Sequence, residues 1–236
     1  MKRILVALAI GVQFLVAPTA LAQTPPPGTA STIGGSGIAM VPQGKPGILD
    51  VVAVGPYANG DLPFIVRNNT GAAVADFTVT ADAHDASGKS VATGELPFGI
   101  ELSPSNVSAG GIAFGNAVFL GVVPNGVTFT VTVSAKPAPG SNIDIVDLDV
   151  PSVTSTGTDV SGTLHNPTNV ALGKPFVTIA CLDAHGALTG VGSPMVDLNL
   201  KQPDANGDVT FDVPVSTTPI QGDCTNEIVA AYAHHR

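Results

Sequence analysis

The stretch VTFTVTVS, residues 127–134, alternates apolar and hydroxyl-bearing side chains without interruption. Successive side chains of a β-strand point to opposite faces, so this alternation predicts a strand with one buried and one solvent-facing side. Residues 78–84, TVTADAH, alternate in the same way. Turn-forming sequences separate such runs, namely NNTG at 68–71, DASG at 85–88 and PNG at 124–126. Since no long segment has a helical period, we predict an all-β chain.

The composition is that of a folded, acidic protein. Of 236 residues, 44% are hydrophobic and 11% are charged, which is enough apolar material for the cores of one or two domains. Acidic residues number 18 and basic residues 9, and the resulting net charge of −9 argues against nucleic acid as a partner because phosphate repels it. Two cysteines are too few for a small fold held by many disulfides.

Residues 1–22 have the features of a secretory signal peptide. Lys2 and Arg3 precede an apolar run at 4–17, and Ala20 and Ala22 are the small residues expected before a cleavage point. The run is shorter than the ~20 residues that span a bilayer, which disfavours the alternative of a membrane anchor. Cleavage would remove two cations and change the net charge from −9 to −11. We therefore expect an exported chain without a transmembrane segment, in the periplasm, the cell envelope or the extracellular space.

Two stretches rich in proline, glycine and serine divide the rest of the chain. Residues 23–47 are predicted to be a flexible linker, within which residues 38–41 could form a short edge strand. Residues 137–141 are predicted to be a short linker between two domains. The predicted β-sandwich domains are therefore residues 48–136 and residues 142–236.

The two predicted domains repeat each other. Residues 65–69 align with residues 163–167 at an offset of 98, and the offset becomes 97 in the second half of each repeat. Identical residues at these offsets include Asp85 and Asp183, Gly88 and Gly186, Gly110 and Gly207, and Phe114 and Phe211. A constant offset over so long a span indicates a tandem duplication. Short strands and regular turns in each unit predict one antiparallel sandwich per repeat.

The repeats resemble the FxLYD domain, an immunoglobulin-like module of bacterial secreted and envelope proteins. The resemblance rests on an asparagine after a β-run and an acidic turn that follows it, VRN at 66–68 with DASGK at 85–89, and LHN at 164–166 with DAHG at 183–186. It covers most of residues 48–236, once per repeat. It implies two tandem antiparallel immunoglobulin-like β-sandwiches with an extracytoplasmic interaction or spacer role and without known catalysis.

Cys181 and Cys224 are predicted to form a disulfide. Cys181 has the same strand phase as Val177 and Ile179, and Cys224 aligns with Val127, so both side chains should point into the core of the second repeat. An exported chain meets an oxidising environment, in which such a pair can join two strands. The alternative is two buried thiols.

A contrast between the repeats predicts a binding face. Six outward strand positions are polar in the first repeat and apolar in the second. The polar residues are Thr78, Asp82, His84, Thr132, Ser134 and Lys136, and their counterparts are Phe176, Ala180, Leu182, Val229, Ala231 and Ala233. Exposed apolar patches commonly contact a partner, so we expect a protein or envelope partner here. The alternatives are docking onto the first repeat or the linker, or a different assignment of the strand faces.

The sequence contains no recognised catalytic motif. There is no nucleophile elbow, phosphate-binding loop or dinucleotide-binding motif, and the histidines have no metal-binding spacing. Residues 204–208, DANGD, are better explained as a turn than as a calcium loop. We therefore expect no enzyme, no cofactor and no metal. The expected function is a non-catalytic binding or adhesion module, and the alternatives are a structural spacer of the envelope or a larger assembly and, third, a metal-binding or hydrolytic secreted protein.

Overall fold

The computed structural model describes residues 32–96, 102–140, 144–195, 200–214 and 224–236. The predicted signal peptide and residues 23–31 of the predicted linker lie outside these ranges. The described chain is built of antiparallel β-strands, as predicted, with a 3-10 helix near its start. Within the described ranges, no helix is long and apolar enough to cross a membrane.

The strands form two sheets. The short strand β1 (Ile33–Gly34) and the 3-10 helix Ser36–Met40 come first. The first sheet contains β2 (Leu49–Val54), β3 (Asp61–Asn68), β4 (Val74–His84), β5 (Ser90–Glu95), β6 (Ile112–Val118) and β7 (Thr128–Pro137), in the order β2-β3-β6-β5-β4-β7. The second contains β8 (Ile145–Ser155), β9 (Asp159–His165), β10 (Phe176–Leu182), β11 (Leu188–Met195), β12 (Asp208–Pro214) and β13 (Asn226–His234), in the order β11-β10-β13-β8-β9-β12, with β1 added to β13.

The first sheet curls into a nearly closed barrel, because its end strands β2 and β7 contact each other. The alternation seen in the sequence is confirmed: in β4, Val79 and Ala81 are buried, whereas Thr78 and Thr80 are exposed. Strand β7 alternates between half-buried and exposed residues. The inward side chains join large residues such as Phe64 to form a core inside the curled sheet.

The second sheet encloses its own core. Strand β8 pairs with β13 over residues 145–148 and with β9 over residues 149–155. It therefore connects one part of the sheet, formed by β11, β10 and β13, with the other part, formed by β9 and β12. Between these parts lie buried side chains that include Ile179 and Phe211. Cys181 and Cys224 are bonded within this core, with Cα atoms 4.8 Å apart, which confirms the predicted disulfide.

Two buried asparagines lie at strand ends, Asn68 as the last residue of β3 and Asn166 directly after β9. The side-chain amides of both residues donate to backbone carbonyl oxygens of nearby loops, those of Ala72, Val107 and Ser108 for Asn68, and those of Val170 and Asp204 for Asn166. Because a buried amide without partners is costly, these bonds fix the loops that follow the two strands. The asparagines quoted for the sequence resemblance therefore have a structural role.

The acidic turns at Asp85 and Asp183 give a pH dependence. Asp85 Oδ1 accepts the Ser87 hydroxyl at 2.6 Å and the Ser87 and Lys89 N–H groups. Asp183 Oδ1 accepts the N–H groups of Ala187 at 2.9 Å and of His185 at 2.8 Å. These bonds favour the ionised form, so they lower the pKa of both carboxyl groups below the ordinary value.

We predict that the double variant Asp85→Asn, Asp183→Asn is less stable than the parent protein at pH 7 and that this difference shrinks at pH 3. A lowered pKa contributes stability above the unfolded value of about 4, and this stability is lost as the pH falls through the folded value. Asp61 and Asp149, whose pKa burial raises, contribute in the opposite sense. Urea unfolding at both pH values measures the difference. Asp212→Asn, exposed on β12, is the control, and a difference between variant and parent that does not change with pH would contradict the assignment.

A third cluster of buried apolar residues lies between the two sheets. Strands β10, β11 and β13 turn their outer face toward β3 and β6 of the first sheet. The main contributors are Ile65, Ile112 and Phe114 from the first sheet, and Ala180, Leu182, Leu188, Val191, Ile228 and Ala230 from the second. Apolar burial of this extent favours one packed body over two units joined only by a linker.

Polar contacts at the edge of this cluster fix how the sheets are oriented. The hydroxyl groups of Ser103 and Thr178, both buried, lie 2.9 Å apart. Asp147 at the start of β8 accepts the backbone N–H of Ser105 at 2.8 Å and its hydroxyl at 2.9 Å. Such directional bonds define a single packing geometry more sharply than apolar contact alone.

Residues 33–41, which the sequence analysis assigned to a flexible linker, instead form an arm on the second sheet. Strand β1 pairs with β13, and Ile38 and Met40 pack against the cluster between the sheets. The buried guanidinium of Arg67 in β3 donates to the carbonyl oxygens of Val41 at 3.1 Å and Pro42 at 2.8 Å. The arm therefore contacts both sheets.

The linker prediction was wrong here because glycine has two uses that composition does not separate. A Cβ atom on Gly34 would lie 2.7 Å from Val150 Cγ1, and one on Gly37 would lie 2.7 Å from Leu182 Cδ1. These glycines permit close packing rather than flexibility. Gly35 has φ +111°, and a Cβ there would overlap the carbonyl oxygen of Glu227.

We predict that Gly35→Ala lowers the free energy of unfolding by at least about 2 kcal/mol more than Gly47→Ala. Both glycines have positive φ, but nothing lies within 4 Å of a Cβ on Gly47. Gly35 has φ +111° and ψ +160°, a conformation essentially restricted to glycine, so the expected difference combines backbone strain with the overlap on β13. Urea unfolding of both variants measures this difference. An equal loss of unfolding free energy in the two variants would mean that the arm does not pack on β13.

Candidate functional site

The predicted binding face is not an exposed surface. Its members Ala180, Leu182, Val229, Ala231 and Ala233 are buried, and Phe176 is half-buried, stacked on Tyr232 with ring centroids 4.9 Å apart. The sequence prediction of an exposed face is therefore corrected, for two different physical reasons.

Val229, Ala231 and Ala233 point into the core of the second sheet. The register pairs Ile179 with Val229 and Val177 with Ala231, and paired residues share a face. The sequence alignment placed these three residues on the outer face because its offset was 97 for this strand. A shift of one residue moves every side chain of a strand to the other face.

Ala180 and Leu182 do lie on the outer face of the second sheet, but the rest of the chain covers that face. Ile228 is paired with Ala180, and the first sheet and the arm bury them together with Leu182. The apolar character that distinguishes these positions from Asp82 and His84 is thus explained by a contact within the chain. Docking onto the first repeat or the linker was one of the alternatives left open by the sequence.

Two large apolar side chains of the described residues remain almost fully exposed. Leu120 is 94% exposed and Val122 is 93% exposed, in the loop between β6 and β7. We call residues 119–123 the tip. The other exposed large apolar residues, Ile48, Val54, Val91 and Val170, are at most about half exposed. Isolated apolar residues at a surface are common, but two so fully exposed in one short loop point to a contact surface.

The tip is held by an aromatic cluster at its base. The Phe119 ring packs inward, with its centroid 5.6 Å from that of Tyr57 and 5.7 Å from that of Phe129. The Phe119 N–H donates to the carbonyl oxygen of Gly60 at 2.8 Å. A Cβ on Gly94 would lie 2.7 Å from this ring, so Phe119 also packs directly on β5. The exposed residues are therefore presented by an anchored loop.

The tip continues the outer face of β6. Along this face, Ile112 and Phe114 are buried against the second sheet, and Asn116 Nδ2 donates to the carbonyl oxygen of Val191 in β11 at 3.0 Å. Val118, the next outward residue, is half-buried, and Leu120 follows it into solvent. The outer face of β6 is thus covered by the second sheet at Phe114 and Asn116 and becomes exposed toward Leu120.

Two carboxylates flank the base of the tip. Asp61 in β3 and Glu95 in β5 are both directly paired with Val118 in β6. Paired residues project from the same face, so the two side chains stand on either side of the outward Val118. Partial burial raises the pKa of Asp61. The site therefore combines an apolar projection with an acidic base.

A second cluster of titratable residues lies on β8, β9 and β12. Asp149, His165 and Asp208 occupy one row across these strands, and His165 Nδ1 lies 2.7 Å from Asp208 Oδ1. Burial raises the pKa of Asp149, and the charge of His165 opposes this. Within the described ranges, no three His, Cys, Asp or Glu side chains are placed to hold a metal ion. An exposed His–Asp pair contributes little on its own, and the row shows no arrangement of catalytic groups.

The tip could have been found in the sequence. Residues 119–123, FLGVV, form an apolar run that lacks strand alternation and ends at the PNG turn. An apolar run next to a turn at the end of a strand predicts either a buried loop or an exposed contact, and only the structure decides between them. Comparison with known proteins gives no further guidance, since no family model, curated protein or solved structure matches the chain.

Proposed function

We propose that this chain is an exported, non-catalytic binding module that contacts its partner through the tip. The observation that carries this proposal is the almost complete exposure of Leu120 and Val122 on an anchored loop. Exposing two such side chains to water is unfavourable, and burial of each in a partner would contribute about 1.5–3 kcal/mol.

The packing of the two sheets supports the binding role. The cluster between the sheets and the bond between Asp147 and Ser105 hold them as one body, so the position of the tip is defined. A rigid binding loop loses less conformational entropy on association than a mobile one. The disulfide supports export, because such bonds persist in oxidising compartments.

A tandem pair of immunoglobulin-like sandwiches, of the FxLYD kind, is the architecture we propose for this module. In its favour, β2-β3-β6 in the first sheet pair as β8-β9-β12 do in the second, and β5-β4-β7 pair as β11-β10-β13 do. Strand β3 begins at Asp61 and β9 at Asp159, and β5 begins at Ser90 and β11 at Leu188, both at the offset of 98 read from the sequence.

The double variant Leu120→Ser, Val122→Ser separates binding from stability. We expect its free energy of unfolding to stay within about 0.5 kcal/mol of the parent value, because exposed side chains contribute little to folding. Urea unfolding measures this. If the free energy of unfolding fell by more than about 2 kcal/mol, the two side chains would be buried in the folded protein and would not form a free contact surface.

Site-specific photo-crosslinking in the producing cell tests binding itself. We expect p-benzoylphenylalanine at position 120 to give a covalent adduct of discrete mass, and the same residue at Thr130, on the exposed face of β7, to give none. Adduct formation should be lost when Val122→Ser is added. Equal labelling at both positions, or no adduct at either, would contradict the binding role.

The second candidate function is a structural spacer. It is favoured by the burial of the apolar face of β10 and β13 within the chain, which leaves that face no role beyond joining the sheets. In that case the crosslinking experiment gives no adduct at position 120.

A further inference from the structure

We propose that the partner of the tip is a protein surface with an apolar socket and a cationic rim of Lys or Arg residues. This inference rests on the proposed binding function and names the chemistry of its partner. It combines two features of the site, the exposed pair Leu120 and Val122 and the carboxylates of Asp61 and Glu95 at their base.

The apolar part of the site defines the socket. The outer face of β6 is buried at Phe114, half-buried at Val118 and fully exposed at Leu120. A partner that covers Leu120 would therefore continue along the face of β6 that already packs between the two sheets. Since Leu120 and Val122 project from a loop, a concave apolar surface fits them better than a flat one.

The acidic part of the site defines the rim. Asp61 and Glu95 flank Val118 in the same row, so a partner seated on Leu120 brings its edge over both carboxylates. Complementary charges at the rim of an interface steer association and suppress partners of like charge. Basic residues around the socket satisfy this condition.

The charge of the chain disfavours two other occupants. Its formal net charge is −9, so a second copy of the chain is repelled at long range. Anionic lipid headgroups are repelled in the same way, and a loop that inserts into a membrane is usually accompanied by cationic residues rather than by carboxylates. A basic surface on a different protein is the occupant that the charges favour.

Selection from a phage-displayed library of small folded domains, each with a randomised concave surface, tests the inference. The parent protein is the bait, and the variant Leu120→Ser, Val122→Ser removes binders that recognise other parts of the protein. We expect the remaining binders to carry an apolar concave surface surrounded by Lys or Arg. Tip-dependent binders without surrounding cations would overturn the cationic rim while leaving the proposed binding function intact. Failure to enrich any tip-dependent binder would overturn both.

A purified copy of an enriched binder then measures the role of the carboxylates. We expect Asp61→Asn, Glu95→Gln to slow its association about three- to tenfold at low salt and to reduce the salt dependence of that rate. Asp212→Asn, on the far strand β12, is the matched control and should leave the rate unchanged. Equal rates for all three proteins would overturn the cationic rim. Tip-dependent binding to phosphatidylcholine–phosphatidylglycerol vesicles would identify lipid as the occupant and overturn a protein partner.

Discussion

Ala180→Asp is expected to lower the free energy of unfolding by about 3–5 kcal/mol, because it places an unpaired charge in the apolar cluster between the two sheets. Ala180 is fully buried there and is paired with Ile228. The residue at the offset of 98 in the first sheet is already an aspartate, Asp82, which accepts the hydroxyl groups of Ser90 and Thr93 at a solvent-exposed face. The same residue type is thus tolerated on one sheet and excluded from the other.

Urea unfolding monitored by circular dichroism measures this effect. The reciprocal variant Asp82→Ala is the control, and we expect it to change stability by less than about 1 kcal/mol. Because Ala180→Asp could unfold the protein completely, Ala180→Ser provides a milder second variant with a smaller loss of the same sign. An Ala180→Asp protein as stable as the parent would show that the second sheet exposes this face.

Removal of the disulfide by Cys181→Ala, Cys224→Ala is expected to cost about 4 kcal/mol, the value for closing a loop of this size in the unfolded chain. The two cysteines are 43 residues apart in sequence and lie in the core of the second sheet. Alanine keeps the site apolar, so the loss reports mainly the cross-link. Urea unfolding of the parent and the variant under non-reducing conditions measures it.

Reduction supplies the control for the disulfide. A reducing agent should destabilise the parent protein and leave the alanine variant unchanged, and thiol titration of the unfolded, unreduced parent should detect no free thiol. Two titratable thiols, or equal stability of parent and variant, would contradict a structural bond between Cys181 and Cys224.

Local sequence features predicted the local structure well. The alternation at residues 127–134 is a strand with alternating exposure, and the turn sequences that begin at Asn68 and Asp85 follow strands β3 and β4. The disulfide was predicted from strand phase and compartment together. Each of these depends on residues close in sequence or on a periodicity of two, which a single sequence contains.

The long-range features could not be predicted in the same way. Ala180 and Val229 are equally apolar, yet one packs between the sheets and the other inside the second sheet, because the register of β13 decides the face. Gly34 and Gly37 have the composition of a linker, but β13 and its neighbours lie too close for any side chain there. Leu120 continues the face of β6 on which Phe114 is buried, yet it is exposed, and no local sequence pattern distinguishes the two positions.

Carbene footprinting with mass spectrometry, applied to the intact protein in solution, tests the central claim most directly, since it reports the exposure of individual side chains. If the two sheets form one body that leaves the tip free, Leu120 and Val122 will be labelled strongly, whereas Phe114, Leu182 and Ile228 will be protected. Strong labelling of Phe114, Leu182 and Ile228 together with a protected tip would contradict both the packing of the sheets and the site proposed on it.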